Sequence, residues 1–206
     1  MNPLQLILGD EEFLIDRATS SIIRAVRSTM QSNPEELPIT KLRAGDVTPS
    51  EISELLSPSL FAEDRVVILA AAGEAGKEAV STIEQAVKEP APGVVLIVIH
   101  SGGGRAKNLV KILKNAGADV TECPKLTKFS EREDFVVNEF RNLGVRPSRD
   151  TVHALLDAIG GDLRELASAV SQLVADTGGR VDPAAVRRYY AGIAGVTGFQ
   201  VADETI

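Results

Sequence analysis

The chain has 206 residues, room for one or two domains, and its 44% hydrophobic and 25% charged composition excludes wholesale disorder. A single cysteine, Cys123, excludes an internal disulfide and a cysteine cluster for zinc, and His100 and His153 are too few and too far apart to suggest a metal site. The net charge of −7, with no basic excess in residues 1–125 or in residues 126–206, argues against a surface that grips nucleic-acid phosphates throughout. Aromatic residues make up only 4% and there is no Trp, so the core must be aliphatic. No run approaches ~18 apolar residues, and the N-terminus lacks a basic stretch followed by an apolar one. A cytoplasmic location without a membrane partner is the expectation.

In chain order, Leu4-Gln5-Leu6-Ile7-Leu8 reads as a buried strand closed by Gly9-Asp10. Phe13, Leu14, Ala18, Ile22, Ile23 and Val26 then recur at helical spacing behind Asp10, Glu11 and Glu12, which suit the positive end of a helix. A weaker strand over 37–42 and a short helix over 49–56 follow. Arg65-Val66-Val67-Ile68-Leu69-Ala70 is a buried strand, and 77–88 a helix stopped by Pro90-Ala91-Pro92-Gly93. Val94-Val95-Leu96-Ile97-Val98-Ile99 is apolar on both faces, as a central parallel strand must be. A helix over 105–115 and a last strand over 119–122 complete an alternation that predicts a parallel sheet covered on both sides. After Pro124 the pattern is helical throughout, over 129–143, 148–159, 162–175 and 183–190. The expected organisation is an α/β domain over 1–125 and a small all-α lid over 126–194, with 195–206 beginning a further segment.

An α/β domain followed by a helical lid suggests a nucleotide-binding machine of the AAA+ type. Its phosphate loop would need Gly-x-x-x-x-Gly-Lys-Ser/Thr between the first strand and helix. Gly9-Asp10-Glu11-Glu12-Phe13-Leu14 has one glycine, no lysine, and three carboxylates that repel a polyphosphate. Two other segments resemble anion sites. Ser101-Gly102-Gly103-Gly104-Arg105-Ala106-Lys107 opens a helix, but its spacing matches no phosphate-binding pattern, and a structural turn is the simpler reading. Arg164, in Gly161-Asp162-Leu163-Arg164, has a "sensor 2"-like setting but nothing obvious to sense, so it reads as a surface or lid-packing residue. Arg105, Lys107, Lys111 and Lys114 fall near one helical face and define a nucleic-acid adaptor alternative, against an ordinary solvated face. No serine lies in a Gly-x-Ser-x-Gly elbow. Cys123 reads as a semi-buried residue at a domain edge, His100 as a hydrogen-bonded strand-end residue, and Asp10/Glu11 and Glu63/Asp64 as helix-cap and turn charges. No catalytic set and no cofactor site emerges.

Leu56-Ser57-Pro58-Ser59-Leu60-Phe61-Ala62 lies between a short helix and a buried strand, in a turn that Pro58 keeps out of helical geometry. Leu60 and Phe61 have two readings here. They fold back onto the core, the commoner fate of loop aromatics, or they protrude as a plug for a partner's apolar pocket.

Four segments, in order, resemble the delta subunit of the bacterial DNA polymerase III clamp loader. They are Leu6-Ile7-Leu8-Gly9-Asp10-Glu11-Glu12-Phe13-Leu14, the 56–62 turn with the strand after it, the 96–99 strand, and Gly160-Gly161-Asp162-Leu163. The resemblance spans essentially the whole chain. It implies an AAA+-like domain without a phosphate loop, a helical lid, and a helical collar that would begin near 195–206 and join the other loader subunits. It also implies a non-catalytic subunit that binds the sliding clamp (beta subunit) and opens its ring, with DNA engaged indirectly or weakly. Matched to this sequence, the clamp-binding tip is Pro58, Ser59, Leu60 and Phe61, the last two forming the plug. Clamp-binding peptides often begin with Gln; Leu56 or Ser57 stands at that position here.

Overall fold

A computed structural model describes residues 1–30, 34–58 and 64–190. The expected segment over 195–206 lies outside the described residues, as do Ser59, Leu60 and Phe61. The chain divides into two compact units, Met1–Lys125 and Leu126–Ile206.

The first unit is an α/β layer structure. Its strands are β1 (Leu4–Gly9), β2 (Ile39–Arg43), β3 (Arg65–Ala70), β4 (Val94–His100) and β5 (Asp119–Cys123). Its α-helices are α1 (Glu12–Thr29), α2 (Pro49–Leu56), α3 (Lys77–Ala86) and α4 (Asn108–Asn115). All strand pairings are parallel, in the order β2-β3-β4-β1-β5. Register and pleat sort the side chains. Leu6 pairs with Val98, which pairs with Leu69, and this row faces α2, α3 and α4 with Ile52, Leu56, Ile83, Leu109 and Leu113. One residue along, Ile7, Ile97 and Ile68 point the other way, toward Ile22 and Val26 of α1. Apolar residues on consecutive positions of β1, β3 and β4 are therefore required, since both sheet faces are covered.

One boundary and two short turns differ from expectation. The helix expected from 105 begins at Asn108, because Gly104 has φ +83° and the Ala106 N–H is drawn to the Gly73 carbonyl at 3.1 Å. Short 3-10 turns over Pro34–Glu36 and Ala72–Glu74 carry no periodic apolar signal and are not predicted by the sequence pattern.

The second unit is helical: α5 (Phe129–Asn142), α6 (Arg149–Ile159), α7 (Leu163–Thr177) and α8 over 183–190. Its termini are specified by side chains. Ser148 accepts from the Thr151 N–H at 3.2 Å, Asp162 from the Glu165 N–H at 2.9 Å, and Gly178 ends α7 at φ +58°. Phe135, Val136, Phe140, Leu155, Leu166, Val170 and Leu173 are buried in its core. Among the described residues no helix is long and apolar enough to cross a membrane.

Leu6 is fully buried on β1, an interior strand between β4 and β5. Leu6→Ala is expected to lower unfolding stability by about 2–5 kcal/mol, read as a shift in the urea transition.

Candidate functional site

In doubly wound sheets, ligands bind outside the carboxyl ends of the strands, where successive crossovers leave for opposite faces. Here that point lies between β1, which leads to α1, and β4, which leads to α4. Only Asp10 and Glu11 separate β1 from α1. The connection is pressed against β5: the Glu11 N–H donates to the Cys123 carbonyl at 3.0 Å. Gly9 has φ +147°, and a Cβ there would overlap that same carbonyl. Glu11 occupies the N-cap position of α1 but its side chain makes no capping hydrogen bond, so it does not fill the expected cap role. Two residues cannot wrap a phosphate, and one of their amides already has an acceptor.

The turn after β4 is also occupied by its own chain. His100 is buried; its Nδ1 accepts from the Gly102 N–H at 2.8 Å, and its Nε2 stands 3.2 Å from the Ala106 carbonyl. Geometry thus assigns the proton to Nε2, which donates to Ala106. The Gly103 N–H meets Ser101 Oγ at 3.4 Å and the Ala106 N–H meets Gly73 O. A Cβ on Gly104 would stand 2.5 Å from Gly73 O, so the two loops touch through glycine backbone. Three amides that could face an anion are bonded internally. His100 is the hydrogen-bonded strand-end residue expected of it. Cys123 is fully buried rather than semi-buried, and burial, with the Glu122 charge behind it, pushes its thiol pKa up, away from nucleophile chemistry.

The basic set is only partly free. Arg105 Nε donates to the Glu74 carbonyl at 2.5 Å, and Lys114 lies 3.8 Å from Glu122; Lys107, at the N-cap of α4, and Lys111, on it, are exposed. Glu74 in turn holds Arg43 through two bonds of 2.9 and 2.7 Å. That hydrogen bond, with the Arg43 and Arg105 charges, lowers the Glu74 pKa, and Arg43 is raised in return. Sequence reasoning missed the Arg43–Glu74 pair and the Gly73–Gly104 contact. Long-range pairing leaves no local signal, although the glycine run at 102–104 hinted at close backbone approach. Arg164 is exposed in the first turn of α7. Among the described residues no group of three His, Cys, Asp or Glu could hold a metal ion.

At the other end of the sheet, α2 ends just ahead of Pro58. Thr48 and Glu51 form a reciprocal capping box with Pro49 at the first helical position. Ile52 and Leu56 are buried against the sheet. Ser57 closes the helix, its Oγ donating to the Ser53 carbonyl at 2.5 Å, and Pro58 is exposed. An open groove beside this end is lined by Ser53, Ser57, Pro58, Gln85, Glu89 and Pro90.

A family model described as DNA polymerase III, delta subunit, matches residues 6–124. The Bacillus subtilis DNA clamp loader delta protein superposes with a TM-score of 0.72 at 22% identity, covering 91% of this chain. This chain spans 58% of that one. The Thermotoga maritima RuvB Holliday junction branch migration motor gives a TM-score of 0.48 at 11% identity, covering 90% of this chain and 60% of its own, too slight to carry an argument. No curated protein matches the chain.

Gly9→Ala is expected to destabilise the fold by about 1–3 kcal/mol, because the added methyl must displace the Cys123 backbone. Gly117→Ala, with open space around its Cβ but φ +84°, isolates the backbone-strain part in the same denaturation series.

Proposed function

We propose a function from one premise: the chain belongs to the DNA polymerase III delta-subunit family. It acts as a clamp-binding component of the loader, docking on the sliding clamp through Pro58, Ser59, Leu60 and Phe61 and biasing the clamp ring toward its open form. The observation that supports this reading is the pair of elements flanking that tetrapeptide in the chain: a helix anchored by a capping box and by Ile52 and Leu56 ahead of it, and the interior strand β3 after it. Pro58, the described member of the four, is exposed.

The energetics suit such a contact. Burying a Leu and a Phe side chain in a preformed groove contributes about 1.5–3 kcal/mol each, enough for specific and reversible docking. The proline restricts the unbound turn and so reduces the ordering cost of binding. Affinity alone does not open a ring; the tip must hold the open form better than the closed one.

The same reading makes the subunit non-catalytic. Support comes from the two-residue connection after β1 and from the internally bonded amides of the turn after β4. Calorimetry with ATP and magnesium at millimolar nucleotide is expected to give no heat of binding; a saturable signal would instead favour a divergent ATPase.

Leu60→Ala combined with Phe61→Ala is expected to weaken binding to the cognate sliding clamp at least about 100-fold, following the lost burial. Surface plasmon resonance reads the affinity and circular dichroism the fold. Unchanged affinity in a folded double variant overturns the assignment of the tip.

A further inference from the structure

We infer that Arg141, Arg146 and Arg180 form a phosphate-binding face on the second unit, and that its ligand is the backbone of duplex DNA. The inference goes beyond the clamp-binding reading and does not depend on it.

The three arginines come from two turns that touch. Arg141 lies in the last turn of α5, Arg146 in the connection to α6, and Arg180 in the connection from α7 to α8. A Cβ on Gly179 would stand 3.5 Å from Val145 Cγ2, so these two residues are neighbours. Arg146 and Arg180 each follow one member of that pair. The Gly144 N–H, one residue before Val145, donates to the Arg141 carbonyl at 2.9 Å. With about 3.8 Å between successive Cα atoms, the three Cα positions fall within roughly 20 Å. Duplex DNA presents about a dozen phosphates over that length, at one per ~1.7 Å.

An arginine at a helix end commonly serves the helix by donating to its last carbonyls. Backbone amides fill that role here. The Leu143 and Val145 N–H groups donate to the Phe140 carbonyl, and those of Gly178 and Gly179 to the carbonyls of Ala175 and Val174. All three arginine side chains are exposed, and none makes an ion pair among the described residues. Elsewhere in the same unit cations are paired: Arg149 with Glu133 at 3.3 Å, and Lys128 with Glu131 at 3.6 Å. The carboxylates near the two turns are engaged locally. Asp176 accepts from the Gln172 amide at 2.9 Å, Asp182 from the Ala185 N–H at 2.6 Å, and Glu139 has a partner of its own. Guanidiniums on long stems stand outside those short side chains.

The residue type points to phosphate. Beyond Lys128 the sequence has arginine and no lysine. A guanidinium takes two phosphate oxygens at once in a fixed fork, which an ammonium cannot do. DNA offers such oxygens along its whole length, and the family is that of a DNA polymerase subunit. The basic row on α4 is the weaker site, because Arg105 and Lys114 are held by Glu74 and Glu122. A net charge of −7 keeps the contact weak and local.

The test is fluorescence anisotropy of a labelled duplex of about 20 base pairs, titrated with the full chain from about 50 to 200 mM salt. Log Kd is expected to rise with log salt at a slope of about 2.7, near 0.9 for each arginine. Each of Arg141→Ala, Arg146→Ala and Arg180→Ala should lower the slope by about 0.9 and weaken binding about tenfold at the lowest salt. Lysine at all three positions keeps the charges and should keep the slope while losing part of the affinity. Circular dichroism checks the fold of each variant. No anisotropy change with the unsubstituted chain at the lowest salt overturns the inference, as does a triple alanine variant with an unaltered slope. Loss of binding on Lys107→Ala with Lys111→Ala, and not on the arginine variants, moves the contact to α4 and overturns it too. Displacement of the duplex by polyglutamate at equal charge makes the face a site for acidic protein and overturns the assignment to DNA.

Discussion

Parallel pairing is the constraint from which the first unit follows. Strands that run the same way cannot be joined by a tight turn, so each connection must cross the sheet. With all five strands parallel, every strand-to-helix connection leaves at the carboxyl edge and every helix-to-strand connection returns at the amino edge. The turns after β1 and β4 lie at the first edge; the end of α2 and the start of β3 lie at the second. Strands of six and seven residues, at about 3.3 Å each, put roughly 20 Å between those edges. The edge where nucleotides bind in such folds and the edge proposed here for docking are therefore distinct.

The carboxyl edge is closed by its own backbone. Buried peptide groups must find partners, and a ligand-binding loop keeps some of them for the ligand. Here the Glu11, Gly102 and Ala106 amides are bonded to Cys123, His100 and Gly73. His100 is the keystone of the second turn, since one ring both accepts from Gly102 and donates to Ala106 while fully buried. The exposed Arg43–Glu74 pair adds little beyond geometry, because water screens it. What results is a scaffold whose loops satisfy one another.

How much of this the sequence discloses depends on the range of each interaction. β1, β3 and β4 are legible because two-sided burial leaves unbroken apolar runs, and α1 and α2 because periodicity and caps are local. The resemblance to the delta family is carried by such local runs. The start of α4 is not legible: a long-range bond from Ala106 to Gly73 decides it. The contact of Gly9 with Cys123 is equally hidden, although a glycine ending a strand is where such an approach belongs. For the tip, residue chemistry alone left Leu60 and Phe61 divided between core and partner.

On the proposed reading, stiffness behind the tip matters more than the strength of the plug. Leu60 and Phe61 in a groove contribute affinity to any ring state that presents the groove. A tip free to reorient would follow the groove as the ring moves, bind both states alike, and shift nothing. A preference for the open ring can arise only if the tip keeps a direction that the closed ring cannot match. On that reading the element behind the tip matters: Ile52 and Leu56 anchor α2 in the core, and β3 is hydrogen-bonded on both sides. The work of opening is then borne by the parallel sheet, which deforms less readily than a loop, and the plug transmits it.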